Sequence, residues 1–250
     1  MFELGLVSVT FRKLSPIQIL DLMKESGLRA IEWGSDVHVP PTDPEYAAHI
    51  GKLTRDAGIR VSSYGSYYRP GVHTPQEFEP YLQAALALGT PVIRVWAGNK
   101  GSADASPQDR AAVIACTQAI CDMAAEHNIT ICYEYHGGTL TDRIDSAMDV
   151  IHAIHRPNMK LYWQYNPTLS LVENCAVLEQ VLPHLQTVHA FSMDASLVRH
   201  PLTDVAKDWQ AYRAILETSP ADYPILLEFV EGDLPESFLR DAKTLTEFFA

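Results

Sequence analysis

The sequence is poor in cysteine and has no CxxC pair. Its 250 residues hold four cysteines: Cys116, Cys121, Cys132 and Cys175. That density excludes a disulfide-built scaffold, and four reduced, buried thiols in a cytoplasmic protein are expected. Positive charge is also scarce. Lys and Arg number 19 against 31 Asp and Glu, a formal charge of −12. A surface this acidic repels phosphate backbones, which argues against a nucleic-acid partner. No apolar run reaches the ~18 residues of a membrane span. The opening MFELGLVSVTFRKL lacks the basic start and apolar run of a secretory signal. A soluble, cytoplasmic chain with no membrane partner is therefore expected. P-loop and GxSxG nucleophile motifs are missing as well. With 47% hydrophobic and 20% charged residues, the composition is that of a globular protein.

What is present is an alternation repeated eight times. Strand-like runs read 4–9, 30–33, 59–64, 92–96, 129–135, 160–164, 187–191 and 225–229. Helix-like runs between them read 16–25, 44–56, 75–88, 107–126, 142–154, 171–182, 205–217 and 236–249. Ser15-Pro16, Asp43-Pro44, Thr74-Pro75 and Ser106-Pro107 each put a capping residue before a proline at the first helical position. Gly27, Gly58 and Gly89 stop the first three helices. Eight such units predict an α/β protein, a single-domain (β/α)8 TIM barrel spanning residues 1–250. A doubly wound open sheet is the alternative. It calls for a glycine-rich turn after the first strand, and residues 10–16 contain no glycine. Helix-to-strand links are short, whereas several strand-to-helix links are long and polar. In a barrel the latter emerge together at the C-terminal face, where active sites lie.

The ends of strands 5 to 8 carry the strongest chemical signal. Glu134, Gln164, His189 and Glu228 stand near the ends of four successive apolar strands. Alternation along a strand puts Glu134 on one face with Cys132 and His136, and Gln164 with Tyr162. Two carboxylates facing each other in an apolar enclosure repel unless a proton or metal compensates. Glu134, Gln164, His189 and Glu228 form an O,O,O,N set suited to one Mn²⁺, Mg²⁺ or similar ion. Two ionised glutamates with a neutral His and Gln match its charge. Gln164 brings no charge of its own, so weak metal binding is expected.

The order of elements, the start LGLVSVTFRKLSP…GLRAIEWGSDVHVPP and the Glu/Gln/His/Glu series resemble the xylose isomerase-like barrel superfamily. That group includes sugar isomerases, ketose 3-epimerases and inosose dehydratase. The resemblance implies that Glu134, His189 and Glu228 are metal ligands. It also implies that Glu134 and Glu228 are catalytic, as acid and base on opposite faces of a sugar carbon. Homo-oligomers are common in the group. Two departures stand out. Gln164 replaces the usual aspartate, and Pro167 and Ala195 occupy positions where the epimerases have a substrate-binding histidine and arginine.

Other candidates lie around the expected mouth. His38, Arg94, Trp96, His136 and Asn166 are candidate substrate-binding residues, and Glu32 is a candidate partner for Arg94. Trp33, Tyr64, Tyr67, Trp96 and Trp163 are candidate mouth aromatics. Arg69, Lys100 and Arg199 read better as solvated loop charges than as phosphate contacts. The reading that follows is a metal-assisted isomerase or epimerase of a small sugar or polyhydroxy carbonyl compound, working through an enediolate. The alternatives are a lyase acting on a cyclic polyol ketone and a non-catalytic sugar-binding barrel.

Overall fold

The computed structural model describes residues 2–250. Eight parallel strands close into a barrel in sequence order, β1 to β8, with β1 pairing to β8. The strands are β1 (Phe2–Val7), β2 (Ala30–Gly34), β3 (Arg60–Gly65), β4 (Val92–Val95), β5 (Thr130–Tyr133), β6 (Met159–Trp163), β7 (Leu185–Ala190) and β8 (Tyr223–Leu227). The helices are α1 (Pro16–Ser26), α2 (Pro44–Asp56), α3 (Glu79–Leu88), α4 (Pro107–Ala125), α5 (Ile144–Ile154), α6 (Leu171–Val181), α7 (Ala206–Leu216) and α8 (Pro235–Phe249). None of these helices is long and apolar enough to cross a membrane.

Local chemistry sets the helix ends. Ser15, Ser106 and Ser170 each form a capping box with the residue three positions on. Gly27 ends α1 at φ 79°, a left-handed conformation that costs glycine nothing. Element bounds differ from expectation chiefly at strand tops. β1 stops at Val7 because Ser8–Phe11 turn into a 3-10 helix. The chain leaves β5, β6 and β8 one residue before Glu134, Gln164 and Glu228. These side chains therefore sit on the barrel rim rather than in its interior layers.

The main core lies between barrel and helices, and two small clusters fill the barrel itself. One holds Val92, Cys132 and Tyr162, the other Val7, Val9, Ala30 and Leu226. Trp33 and Trp163 are fully buried in the outer core, not at the mouth. Alternation explains it: their neighbours Glu32 and Tyr162 point inward, so the tryptophans point out. Trp33 donates Nε1–H to Thr54 of α2 at 3.1 Å. Tyr64 is likewise a core residue, its hydroxyl bonded to the Val39 carbonyl at 2.7 Å.

Candidate active site

Four strand ends bring Glu134, Gln164, His189 and Glu228 to one point. The Glu134 N–H donates to Val95 O at 3.2 Å and the Glu228 N–H to Ala190 O at 2.9 Å, so both backbones stay tied to the sheet. His189 lies within β7, level with Leu226. Its Nδ1 stands 3.1 Å from Glu228 Oε2, 3.1 Å from Gln164 Oε1 and 3.7 Å from Glu134 Oε1. One N–H cannot satisfy three converging oxygens, whereas a small cation among them can. One ligand atom from each of Glu134, His189 and Glu228 falls within 4.8 Å of the others. The two carboxylates are 3% and 6% exposed and the imidazole 0%. Buried, oxygen-rich and negative, the set fits a divalent ion such as Mn²⁺ or Mg²⁺.

The glutamates are held differently. Glu134 Oε2 accepts hydrogen bonds from Arg94 Nη1 and Trp96 Nε1, leaving Oε1 to face His189. Among the described residues no donor reaches Glu228 Oε1. Arg94 also donates Nε–H to Glu32 at 2.8 Å. Glu32 is a hub at the centre of the barrel, taking Ser63 Oγ–H at 2.8 Å and Tyr162 O–H at 2.9 Å. Gly65 makes room for this pair: a Cβ there would stand 2.6 Å from Arg94 Nη2 and 2.7 Å from Glu32 Oε1. Phe229, directly after Glu228, adopts φ 61° and donates its N–H to Thr10 Oγ1 at 2.9 Å. Left-handed geometry at a bulky residue costs about 1–3 kcal/mol. It turns the chain sharply just past Glu228.

Three buried carboxylates, Glu32, Glu134 and Glu228, face one buried guanidinium. Two negative charges are left over when His189 is neutral, the deficit one divalent ion fills. Without the ion, protons respond. Burial pushes His189 down, but the Glu228 charge and hydrogen bond outweigh it, so its pKa is raised. Burial pushes Glu228 up, and His189 more than reverses this, so its pKa is lowered.

The mouth above is aromatic and cationic. Trp96 stacks on His136 at 4.3 Å and lies 5.2 Å from Tyr67. His136 Nδ1 bonds the Gly137 carbonyl at 2.7 Å, and its Nε2 has no hydrogen-bond partner among the described residues. Arg94, a candidate substrate contact, is 1% exposed and committed to Glu32 and Glu134. His38 is corrected in the same way. It is buried, with Nδ1 3.0 Å from Ser8 Oγ and Nε2 3.2 Å from Leu14 O, so its ring braces the β1–α1 connection and offers a substrate no free nitrogen. Asn166 also serves its own loop: Oδ1 takes Thr168 N–H at 2.9 Å and Thr168 O–H at 2.8 Å. Asn166 satisfies its own loop, as short polar side chains on loops do, whereas His38 is held by distant residues that the fold brings beside it. Lys100 and Arg199 are paired with Asp109 and Asp233. The roles of Ser63, Tyr162 and Gly65 in fixing Glu32 were not foreseen, because pairing across the barrel leaves no trace in local spacing.

With this geometry in view, the comparisons are specific. The family model described as xylose isomerase-like TIM barrel matches residues 20–248. The chain belongs to that family. A curated relative, 3-dehydroshikimate dehydratase of Bacillus anthracis, is 26% identical over 169 residues, 64% of this chain. The match spans 60% of that protein's length. Among solved structures, a probable 3-DHS dehydratase from Bacillus anthracis, involved in petrobactin synthesis, superposes with a TM-score of 0.79 at 19% identity, covering 98% of both chains. D-psicose 3-epimerase in the presence of D-fructose superposes at 0.73 and 14%, also covering 98% of both. D-allulose 3-epimerase from Methylomonas sp. gives 0.72 and 15%, covering 99% of this chain and 98% of its own. At these identities the structural likenesses establish the fold alone. The named relatives include both a dehydratase and epimerases.

Proposed function

We propose that this barrel is a divalent-metal-dependent isomerase or epimerase that moves the proton beside the carbonyl of a small polyhydroxy compound. The observation that carries the reading is the convergence of Glu134, Gln164 and Glu228 oxygens on His189 Nδ1 at the rim of the barrel. Held by these four residues, a divalent ion supplies Lewis acidity toward a substrate oxygen. Arg94 and Trp96 keep Glu134 in place. Glu228, with Oε1 unrestrained, takes the proton from the carbon next to the carbonyl, and the C–H electron pair passes toward the carbonyl oxygen. Return of that proton by Glu228 to the neighbouring carbon completes isomerisation; in epimerisation Glu134, having taken a proton from solvent, delivers it to the opposite face, and Glu228 passes the proton it removed to solvent. Each such transfer is worth about 10²–10⁴-fold in rate. Trp96, whose N–H holds Glu134, stacks on His136 beside the site.

A second reading is dehydration, in which the same proton leaves first and a β-hydroxyl then departs as water. Two observations favour it: the curated relative is a dehydratase, and Pro167 and Ala195 replace the residues that the epimerase resemblance calls for.

Incubation with Mn²⁺ and candidate ketoses or cyclic hydroxyketones in D₂O tests both. Proton transfer puts deuterium next to the carbonyl, and Glu228→Gln lowers its entry by about 10²-fold or more. Dehydration adds the absorbance of a new conjugated double bond. In H₂O, complete retention of a substrate deuterium label in a single turnover, with no washout, would rule out the two-glutamate mechanism.

A further inference from the structure

Three arginines on the loops around the mouth close on aspartates. Arg12 pairs with Asp36, Arg143 with Asp145 and Arg199 with Asp233. Arg69, on the β3–α3 loop, has no carboxylate partner among the described residues. Its Nη1 donates to the Gly98 carbonyl at 3.0 Å, and its guanidinium carbon lies 4.1 Å over the Trp96 ring. The loop is fixed from within: the Arg69 N–H donates to His73 Nδ1 at 3.0 Å, and the His73 N–H returns to Arg69 O at 2.9 Å. The guanidinium is thus a half-buried cation stacked on the indole whose N–H holds Glu134. Burial lowers its pKa, and the Glu134 charge acts against that.

A guanidinium carries five N–H donors in a planar fork, and a carbonyl occupies only one nitrogen here. Stacking on Trp96 leaves the edge of the fork for a ligand. Oxyanions match that edge with two parallel, charge-assisted hydrogen bonds, whereas a neutral hydroxyl does not. In a chain of net charge −12, carboxylates are abundant, yet this cation, stacked on the indole that holds Glu134, has none among the described residues.

We infer that the substrate carries a carboxylate or phosphate group and that Arg69 is the residue that anchors it. This inference rests on the proposed function and narrows its substrate class to sugar acids and sugar phosphates. The anion is held over Trp96, and the carbonyl end reaches down to Glu134 and Glu228.

The test is calorimetric titration of the full chain, treated with chelator so that no anion is held by metal. The probes are D-erythronate against erythritol and glycerol 3-phosphate against glycerol. At least one anion is expected to bind about tenfold or more tightly than its neutral counterpart, and which one does so names the group. Arg69→Gln abolishes the preference and leaves neutral binding and the thermal midpoint unchanged, and Arg69→Lys restores part of it. Added NaCl weakens the anion in wild type but not the neutral probe. That measurement needs no variant. The absence of any anion preference in wild type, or its survival in Arg69→Gln, overturns the inference. A proton-exchange assay on Mn²⁺-loaded wild type separates the two proposals. An anion preference in a wild-type protein that exchanges no proton with any substrate condemns the proposed reaction and leaves the anion anchor standing.

Discussion

Gln164 donates its amide N–H to the Tyr135 carbonyl at 2.9 Å, and that bond turns its Oε1 to within 3.1 Å of His189 Nδ1. The two ends of the amide therefore have assigned tasks. A carboxylate of the same length would set an oxygen against the Tyr135 carbonyl, acceptor to acceptor. Gln164→Glu is expected to destabilise the metal-free protein by about 1–3 kcal/mol in urea unfolding. Gln164→Asp is one methylene shorter and draws back from that carbonyl while adding a charge. It is expected to tighten Mn²⁺ by about tenfold, since an anionic oxygen adds attraction in a low-dielectric site. Unchanged Mn²⁺ affinity in that variant would put Gln164 outside the ligand set.

Glu228→Ala removes the carboxylate nearest His189 Nδ1. Calorimetry on chelator-treated protein should show Mn²⁺ binding fall by two orders of magnitude or more. Wild type should gain about 2.7 kcal/mol of stability at a hundredfold excess of Mn²⁺ over Kd, and the variant almost none at the same concentration. Equal Mn²⁺ affinity in the two proteins would move the metal elsewhere.

Much of this was legible in the sequence because it repeats or alternates. Eight helix-like runs between apolar strands give a barrel, and strand parity aims Glu134, His189 and Glu228 at one another. The same parity also paired Arg94 with Glu32. Two kinds of information were not available that way. Whether a loop histidine such as His38 faces substrate or backbone depends on Ser8 and Leu14, which only the fold brings near. The misplacement of Trp33 and Trp163 has another cause. Aromatic character was read as a mouth feature, although the residues beside them already pointed inward and so fixed them outward.

Asp109 shows how the rim is tied down. Lys100 bonds its carboxylate, and Ser106 adds the capping box at the start of α4, so its pKa is lowered to about 2. The folded value lies below the unfolded one, so the stabilisation is present above about pH 4 and is lost as pH falls toward 2. A carboxylate NMR titration should place its midpoint near 2. Asp109→Asn should flatten the acid limb of the stability curve between those limits. A midpoint near 4 would mean that neither Lys100 nor Ser106 holds it in solution.

Arg94 is the structural counterweight of the site, and its removal tests the electrostatic account. It is buried with Glu32 on one side and Glu134 on the other. Arg94→Met keeps much of the volume but leaves two carboxylates without their cation. Breaking a buried pair in this way costs about 3–5 kcal/mol, because a charge without its partner stays out of water. Lysine should not restore it, since a single ammonium replaces a fork that reaches both glutamates. Adding Glu32→Gln to Arg94→Met removes one of the stranded charges. The double variant should therefore be more stable than the summed single effects by about 0.5–3 kcal/mol. Saturating Mn²⁺ should also recover part of the loss in Arg94→Met, because the ion supplies positive charge to Glu134 from the His189 side. Urea unfolding of wild type, Arg94→Met, Arg94→Lys, Glu32→Gln and the double variant, with and without Mn²⁺, reads all of these effects. Wild-type stability in metal-free Arg94→Met would mean that the buried glutamates are already protonated, and the charge balance assigned to this site would then be wrong.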